Sequence, residues 1–245
     1  MIELGLGAQE VLSAGATGTV AAVFSKAAYL RMPAGLVALT TRDVPSGPIH
    51  ARGDFPLHRL APGDSVTVDL SRTPLWQGTL LTPALLAAGA GTALDVLARA
   101  PGSALADPLF DRRRDLAVRC VDRGDLDGAV DALAGLGPGL TPAGDDALAG
   151  ILLVFGWHDR AAAMVAADRA RTNDIARAFL AWAARGQSIE PVHDLLAASA
   201  DHHVGAAEAA LARLVAVGYS SGADLAFGIR LTLSCLYCNN RIKSI

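Results

Sequence analysis

The spacing of apolar residues changes once along the chain. Up to about residue 80 they come in short runs rich in β-branched side chains. Thr19-Val20-Ala21-Ala22-Val23-Phe24 lies within a Gly18–Met32 region, and Leu36–Thr41, Pro48–Arg52 and Ser65–Leu70 follow it, each set off by Gly, Pro or Gly-Asp. Runs of this length with that punctuation predict short strands in an antiparallel sheet or small barrel. No helix-length segment alternates with these runs, so a Rossmann unit is not expected here.

From about Thr82 the spacing becomes helical. Pro83–Ala88 is helix-prone. Asp107–Leu133 holds one or two helices about a Gly124-Asp125 turn. Pro142–Trp157, Ala161–Gly186, Glu190–Ala200, Val204–Val217 and Gly222–Leu236 complete a helical half. The predicted class is α+β: a β-rich region over 1–80, a mainly α-helical region over 81–238, and a polar, flexible tail over 239–245, with the changeover placed between 75 and 100.

Composition narrows the function. Of the 245 residues 52% are hydrophobic and only 5% aromatic, so the core is built from Ala, Leu and Val, which lets helices approach closely. The net charge of −3 carries no basic excess, and nucleic acid is not an expected partner. Arg112-Arg113-Arg114 is flanked by Asp111 and Asp115 and reads as a solvated helical turn. The N-terminus lacks a basic, signal-like stretch. The apolar run Ala147–Trp157 is about half a membrane span, so no membrane is expected and the cytoplasm is the default location. Cys235 and Cys238 form a single CxxC without a second pair, which argues against zinc, and its place after an apolar run argues against a redox motif. His202-His203 reads as a loop between helices, and His193 as a packing residue at a helix start.

The chemistry concentrates in Gly137-Pro138-Gly139-Leu140-Thr141-Pro142-Ala143-Gly144-Asp145-Asp146. Thr141 is expected as the N-cap and Pro142 as the first helical residue. Gly137 and Gly139 can take positive φ and leave N–H groups uncovered. Those groups and the helix dipole favour an anion, and Gly144 removes a Cβ that would block approach. Asp145 and Asp146 would repel a bare anion, which requires a metal ion, an arginine or a protonated group to offset them. Adjacent helical residues point about 100° apart, so one aspartate is expected to orient the loop while the other faces the site. The Lys-Ser/Thr ending of a P-loop is missing. The alternative reading is an ordinary loop before a well-capped helix.

A weak internal echo extends this site. Gly144–Leu153 laid on Gly222–Leu231 repeats Gly-x-Asp-x-x-x-Gly, with Asp146 and Gly150 matching Asp224 and Gly228. Close packing through the glycines would set the aspartates side by side, able to hold a metal or share a proton. The alternative is chance similarity of two small-residue helices. Ser220 and Ser221 precede the second helix as Thr141 precedes the first, offering capping hydroxyls.

The run Gly135–Asp146 resembles the signature of AllH-type proteins, which usually have Ser where this chain has Ala143. Arg171-Thr172-Asn173-Asp174-Ile175 resembles the family's Arg-Thr-x-x-Ile/Leu step and is followed by Gly186 and Glu190–Leu196. Gly218–Asp224 resembles its Gly-His-Ser/Thr-Ser-Gly-x-Asp, with Tyr219 in place of His. Val23–Leu30 and Gly47-Pro48 are also similar, so the resemblance runs over most of the chain. It implies FdrA-like partner subunits related to acyl-CoA synthetases, and, in allantoin-degrading bacteria, oxamate carbamoyltransferase activity linking oxamate and carbamoyl phosphate with oxalurate and phosphate. It transfers no catalytic role residue by residue.

Together these readings lead to one expectation. Gly137, Gly139, Thr141 and Gly144 bind a small anion, and Ser220, Ser221 and Gly222 close the site. Asp145 and Thr172 belong to the same ligand-binding set. Asp146, Asp224 and Arg171 are the catalytic candidates: the aspartates orient an amide or a metal such as Mg²⁺, and the guanidinium makes a bidentate contact. The competing classes are a non-catalytic structural or regulatory subunit of an FdrA-like complex and a transferase acting on another small acid or CoA thioester.

Overall fold

The computed structural model describes residues 2–14, 16–68 and 73–238. By contacts the chain forms two compact units, Met1–Gly78 with Gln187–Glu190, and Thr79–Gly186 with Pro191–Ile245.

The first unit is a mixed sheet. Its strands are β1 (Glu3–Gly5), β2 (Thr17–Val23), β3 (Ala27–Met32), β4 (Gly35–Thr40), β5 (His50–Arg52), β6 (Ser65–Thr67) and β7 (Leu75–Trp76), in the order β6-β2-β3-β4-β5-β1-β7. The sheet is open, with β6 and β7 as edges among the described residues, so the barrel alternative does not hold. Tight turns give antiparallel pairing: Phe24 N donates to Ala27 O (2.7 Å) between β2 and β3, and Pro33-Ala34 joins β3 to β4. The longer connection through Pro45, Gly47 and Pro48 crosses over instead and sets β5 parallel to β4, and β1 and β7 also run parallel. The expected all-antiparallel sheet is therefore mixed. The reading also missed α1 (Leu6–Ala14), whose Ala8 and Leu12 join Leu4, Leu30, Val37 and Leu39 in the core. Asp69 and Leu70 of the expected last strand lie outside the described residues. Gln187 belongs to this unit because its side-chain amide binds both backbone groups of Gly78 (3.0 and 3.2 Å).

The second unit is helical: α2 (Pro83–Leu97), α3 (Asp111–Asp122), α4 (Leu126–Leu133), α5 (Ala143–Gly156), α6 (Arg160–Asp168), α7 (Asp174–Ala184), α8 (Glu190–Ala200), α9 (Val204–Val215) and α10 (Ser221–Leu233), the last ending in a π turn over Ser234–Cys238. Local capping explains several starts. Thr82 Oγ1 accepts from Leu85 N (3.2 Å), Asp125 Oδ1 from Gly128 N (2.8 Å), and Asn173 Oδ1 from Ile175 and Ala176 N (both 3.0 Å). Arg114 pairs with Asp111 and Asp115, as a solvated turn requires. His193 is buried, with a ring nitrogen 2.8 Å from Thr79 O, and exposed His202 lies in the turn before α9. The Cys235 thiol donates to Val121 O (3.2 Å). The expected tail, 239–245, lies outside the described residues. No helix among those described is long and apolar enough to cross a membrane.

The centre of the helical unit is α5, buried along almost its whole length and packed on α10, α7 and α6. Exposed Gly91 shows what a helix glycine does when nothing packs on it: a Cβ there meets no atom within 4 Å. Gly91→Ala is therefore expected to raise stability by about 0.5–1 kcal/mol in urea titration, through helix propensity alone. A loss would mean that this position carries a contact the fold does not display.

Candidate functional site

The helix starts of α5 and α10 meet. Ala147, Gly150, Leu225 and Gly228 form the crossing: a Cβ on Gly150 would stand 2.4 Å from Leu225 O, and one on Gly228 only 1.9 Å from Ala147 O. Each helix thus gives up a side chain so that the other's backbone can pass. Thr141 Oγ1 lies 3.3 Å from Ser221 Oγ, so the N-terminal ends converge. Asp146 immediately precedes Ala147, and Asp224 immediately precedes Leu225, placing one carboxylate on each helix beside the crossing. The recurring Gly-x-Asp-x-x-x-Gly pattern describes this packing.

The capping expectation is corrected at both starts. Pro142, not Thr141, is the N-cap of α5, and no side chain caps it. The carbonyl of Pro142 accepts from Asp145 and Asp146 N (2.9 and 3.0 Å), while the Thr141 hydroxyl turns to Ser221. Ser220 is the N-cap of α10 through its carbonyl, which accepts from Asp224 N (2.9 Å), and Ser221 is already helical. The fixed φ of proline suits either position, so residue type alone did not decide between them.

Gly144 and Gly222 serve packing. The Gly144 N–H donates to Leu136 O (2.8 Å), and a Cβ there would fall 2.1 Å from Leu133 O. The Gly222 N–H donates to Val217 O (3.1 Å), and its Cβ would fall 1.9 Å from Leu214 O. These two N–H groups are thus engaged within the fold rather than held open for an anion.

The loop before α5 remains open. Gly137 and Gly139 have φ of 116° and 91°, in the region that favours glycine. The N–H groups of Gly137, Gly139, Leu140 and Thr141 make no hydrogen bond among the described residues, and Pro138–Leu140 is exposed. Tyr219 is fully exposed.

The two adjacent aspartates divide their roles as helical geometry expects. Asp145 is buried and fixes the loop: Oδ1 accepts from Gly135 N (2.9 Å) and Oδ2 from Thr172 Oγ1 (2.5 Å). Burial raises its pKa, and these two hydrogen bonds oppose the rise. The hydroxyl of Thr172 is therefore committed to Asp145. Arg171 is exposed, its carbonyl 3.0 Å from where a Gly135 Cβ would stand. The segment 171–172 thus lies against the loop.

Asp146 has no such support. Its Oδ2 is buried without a partner among the described residues. Burial, with smaller contributions from the charges of Asp224 and Asp145, pushes its pKa up to about 8 against a lowering hydrogen bond from Ser221. Asp224 is fully buried. Its Oδ1 accepts from Ser103 Oγ (2.5 Å) and Ala104 N (2.8 Å), and its Oδ2 has no partner among the described residues. Ser103 was not anticipated. The only hint was a serine before Ala104-Leu105-Ala106, where its oxygen caps a 3-10 turn. It also lines a cleft of about 190 Å³ with Leu97, Arg114, Ala223, Phe227 and Arg230. Among the described residues no group of three or more His, Cys, Asp and Glu is placed to hold a metal.

Residues 133–233 match the family model of AllH, described as oxamate carbamoyltransferase subunit AllH. No curated protein and no solved structure matches the chain. The matched span contains the candidate site residues, from the Gly137 loop through Arg171-Thr172 to Asp224, and over these residues the chain is similar to AllH.

Proposed function

We propose that this chain is the AllH-like subunit of a carbamoyltransferase-type complex and binds a small anion, oxamate or carbamoyl phosphate, at the Gly137–Thr141 loop. One observation carries the reading: the loop holds unused N–H groups directly before the point where the starts of α5 and α10 converge. Oriented N–H donors of this kind stabilise charge on a carboxylate, a phosphate or a carbamoyl oxygen. Arg171 is the proposed second contact, and Asp146 and Asp224 the groups that orient an amide. Isothermal titration with oxamate, carbamoyl phosphate and phosphate, with and without Mg²⁺, tests it. Heat is expected for at least one, in the chain alone or assembled with FdrA-like partners. Silence in both states would remove the proposal.

A second reading has its own support: Gly144, Gly222, Asp145 and Thr172 are all spent inside the fold. On it, the motif shapes a non-catalytic subunit that completes its partners. Turnover by the chain alone would favour the enzyme. Activity only after co-purification with partners, with Asp146→Asn abolishing assembly, would favour the subunit.

A further inference from the structure

An anion site beside two buried carboxylates, Asp145 and Asp224, and the partly buried Asp146 needs an explanation. Asp145, Asp146 and Asp224 have no cationic partner among the described residues, and burying uncompensated charge is costly enough that a group neutralises instead. The count of donors identifies which one. Asp145 accepts from Gly135 and Thr172, and Asp224 from Ser103 and Ala104, whereas among the described residues Asp146 is met only by Ser221. The charges acting on Asp146 are Asp224 from α10 and Asp145 from its own helix. The α4, α6 and α7 helices also pack on α5, and no charged group from them acts on it.

We propose that Asp146, Ser221 and Thr141 form a directional chain of hydrogen bonds that sets what the loop shows a ligand: a donated O–H when Asp146 carries a proton, a lone pair when it does not. Each hydroxyl has one hydrogen to give. Protonated Asp146 donates to Ser221, Ser221 donates to Thr141 across 3.3 Å, and the Thr141 hydrogen is left for the loop. With Asp146 ionised every bond reverses: Thr141 donates inward and turns its lone pairs outward, against an anion. The rise of the Asp146 pKa to about 8 puts the anion-accepting polarity in force at neutral pH. Asp146 then adds no negative charge beside the ligand, and the charge of Asp145 is held by Gly135 N and Thr172 Oγ1.

This inference rests on the loop binding an anion. The test is titration of the full chain with oxamate and with sulfate, whose charges are constant from pH 6 to 9. Affinity is expected to hold at low pH and to fall, approaching about tenfold per pH unit, once Asp146 ionises. Asp146→Asn keeps an N–H donor and is expected to bind with no pH dependence. Ser221→Ala cuts the chain and frees the Thr141 hydroxyl from Asp146, so the fall in affinity with rising pH should flatten in this variant. If Asp146→Asn does not fold, Ser221→Ala and the unmodified profile carry the test. A flat profile in the unmodified protein would overturn the inference and leave the anion reading standing. No binding of either probe at any pH would overturn the anion reading and this inference with it.

Discussion

Gly228→Ala is expected to destabilise the helical unit by about 2–3 kcal/mol, a fall in Tm of roughly 5–10 °C for a chain of this size. The added methyl would stand 1.9 Å from Ala147 O and 2.8 Å from its carbonyl carbon. Both are backbone atoms of a buried helix, so no side chain can swing aside. Alanine returns about 1 kcal/mol in helix propensity, and the figure is net of that gain. The displaced element is α10, which carries Asp224 and Ser221, so the substitution should weaken anion binding as well as stability. Gly91→Ala, with nothing around its Cβ, is the control of opposite sign. Thermal unfolding of both variants decides. A Gly228→Ala protein as stable as the parent would mean that α5 and α10 separate at no cost, and the convergence on which the site depends would lose its basis.

That crossing was legible because a close helix contact leaves a periodic trace, small residues one turn apart, and two such traces invite pairing. The split between Asp145 and Asp146 was legible for a similar reason: adjacent helical side chains diverge whatever surrounds them. What failed to show was non-local. Thr141 has the chemistry of an N-cap, and only a hydroxyl on α10 draws it elsewhere. Gly144 looks like a gap for a ligand until Leu133 O fills it. Ser103, which holds Asp224, sits far away in sequence, in a Pro-Gly-Ser connection with no periodicity of its own. In the sheet unit the short α1 escaped because its nine residues place only Ala8 and Leu12 in the core, too few for a helical period to stand out beside the strand-forming runs. The parallel strands escaped because pairing direction depends on where a connection travels, which the turn residues of a longer loop do not specify.

Asp146→Asn should make the protein more stable at alkaline pH, by an amount that grows as pH rises. A carboxyl held near 8 in the folded chain and near its ordinary value when unfolded binds its proton more tightly in the native state. Between about pH 4 and 8 the native state therefore holds one proton more, and stability falls with rising pH by up to about 1.4 kcal/mol per unit. His50 acts in the opposite sense. Burial lowers its pKa from 6.5 to about 4, so its contribution rises with pH across that interval and masks the slope of Asp146 there. From about pH 6.5 to 8 only the carboxyl effect remains of the two. Asp145, raised in the same direction, is common to parent and variant. The stability gap between Asp146→Asn and parent is thus expected to widen by about 2 kcal/mol over that window and then to level off. Unfolding followed by tryptophan fluorescence reports it well, because Trp157 and Trp182 both belong to the helical unit that carries the site. A gap that stays constant from pH 6.5 to 8 would mean that Asp146 is ionised throughout. Two buried carboxylates and a partly buried third would then have to coexist charged without a cation among the described residues, and the loop above them would present lone pairs to any anion that approached.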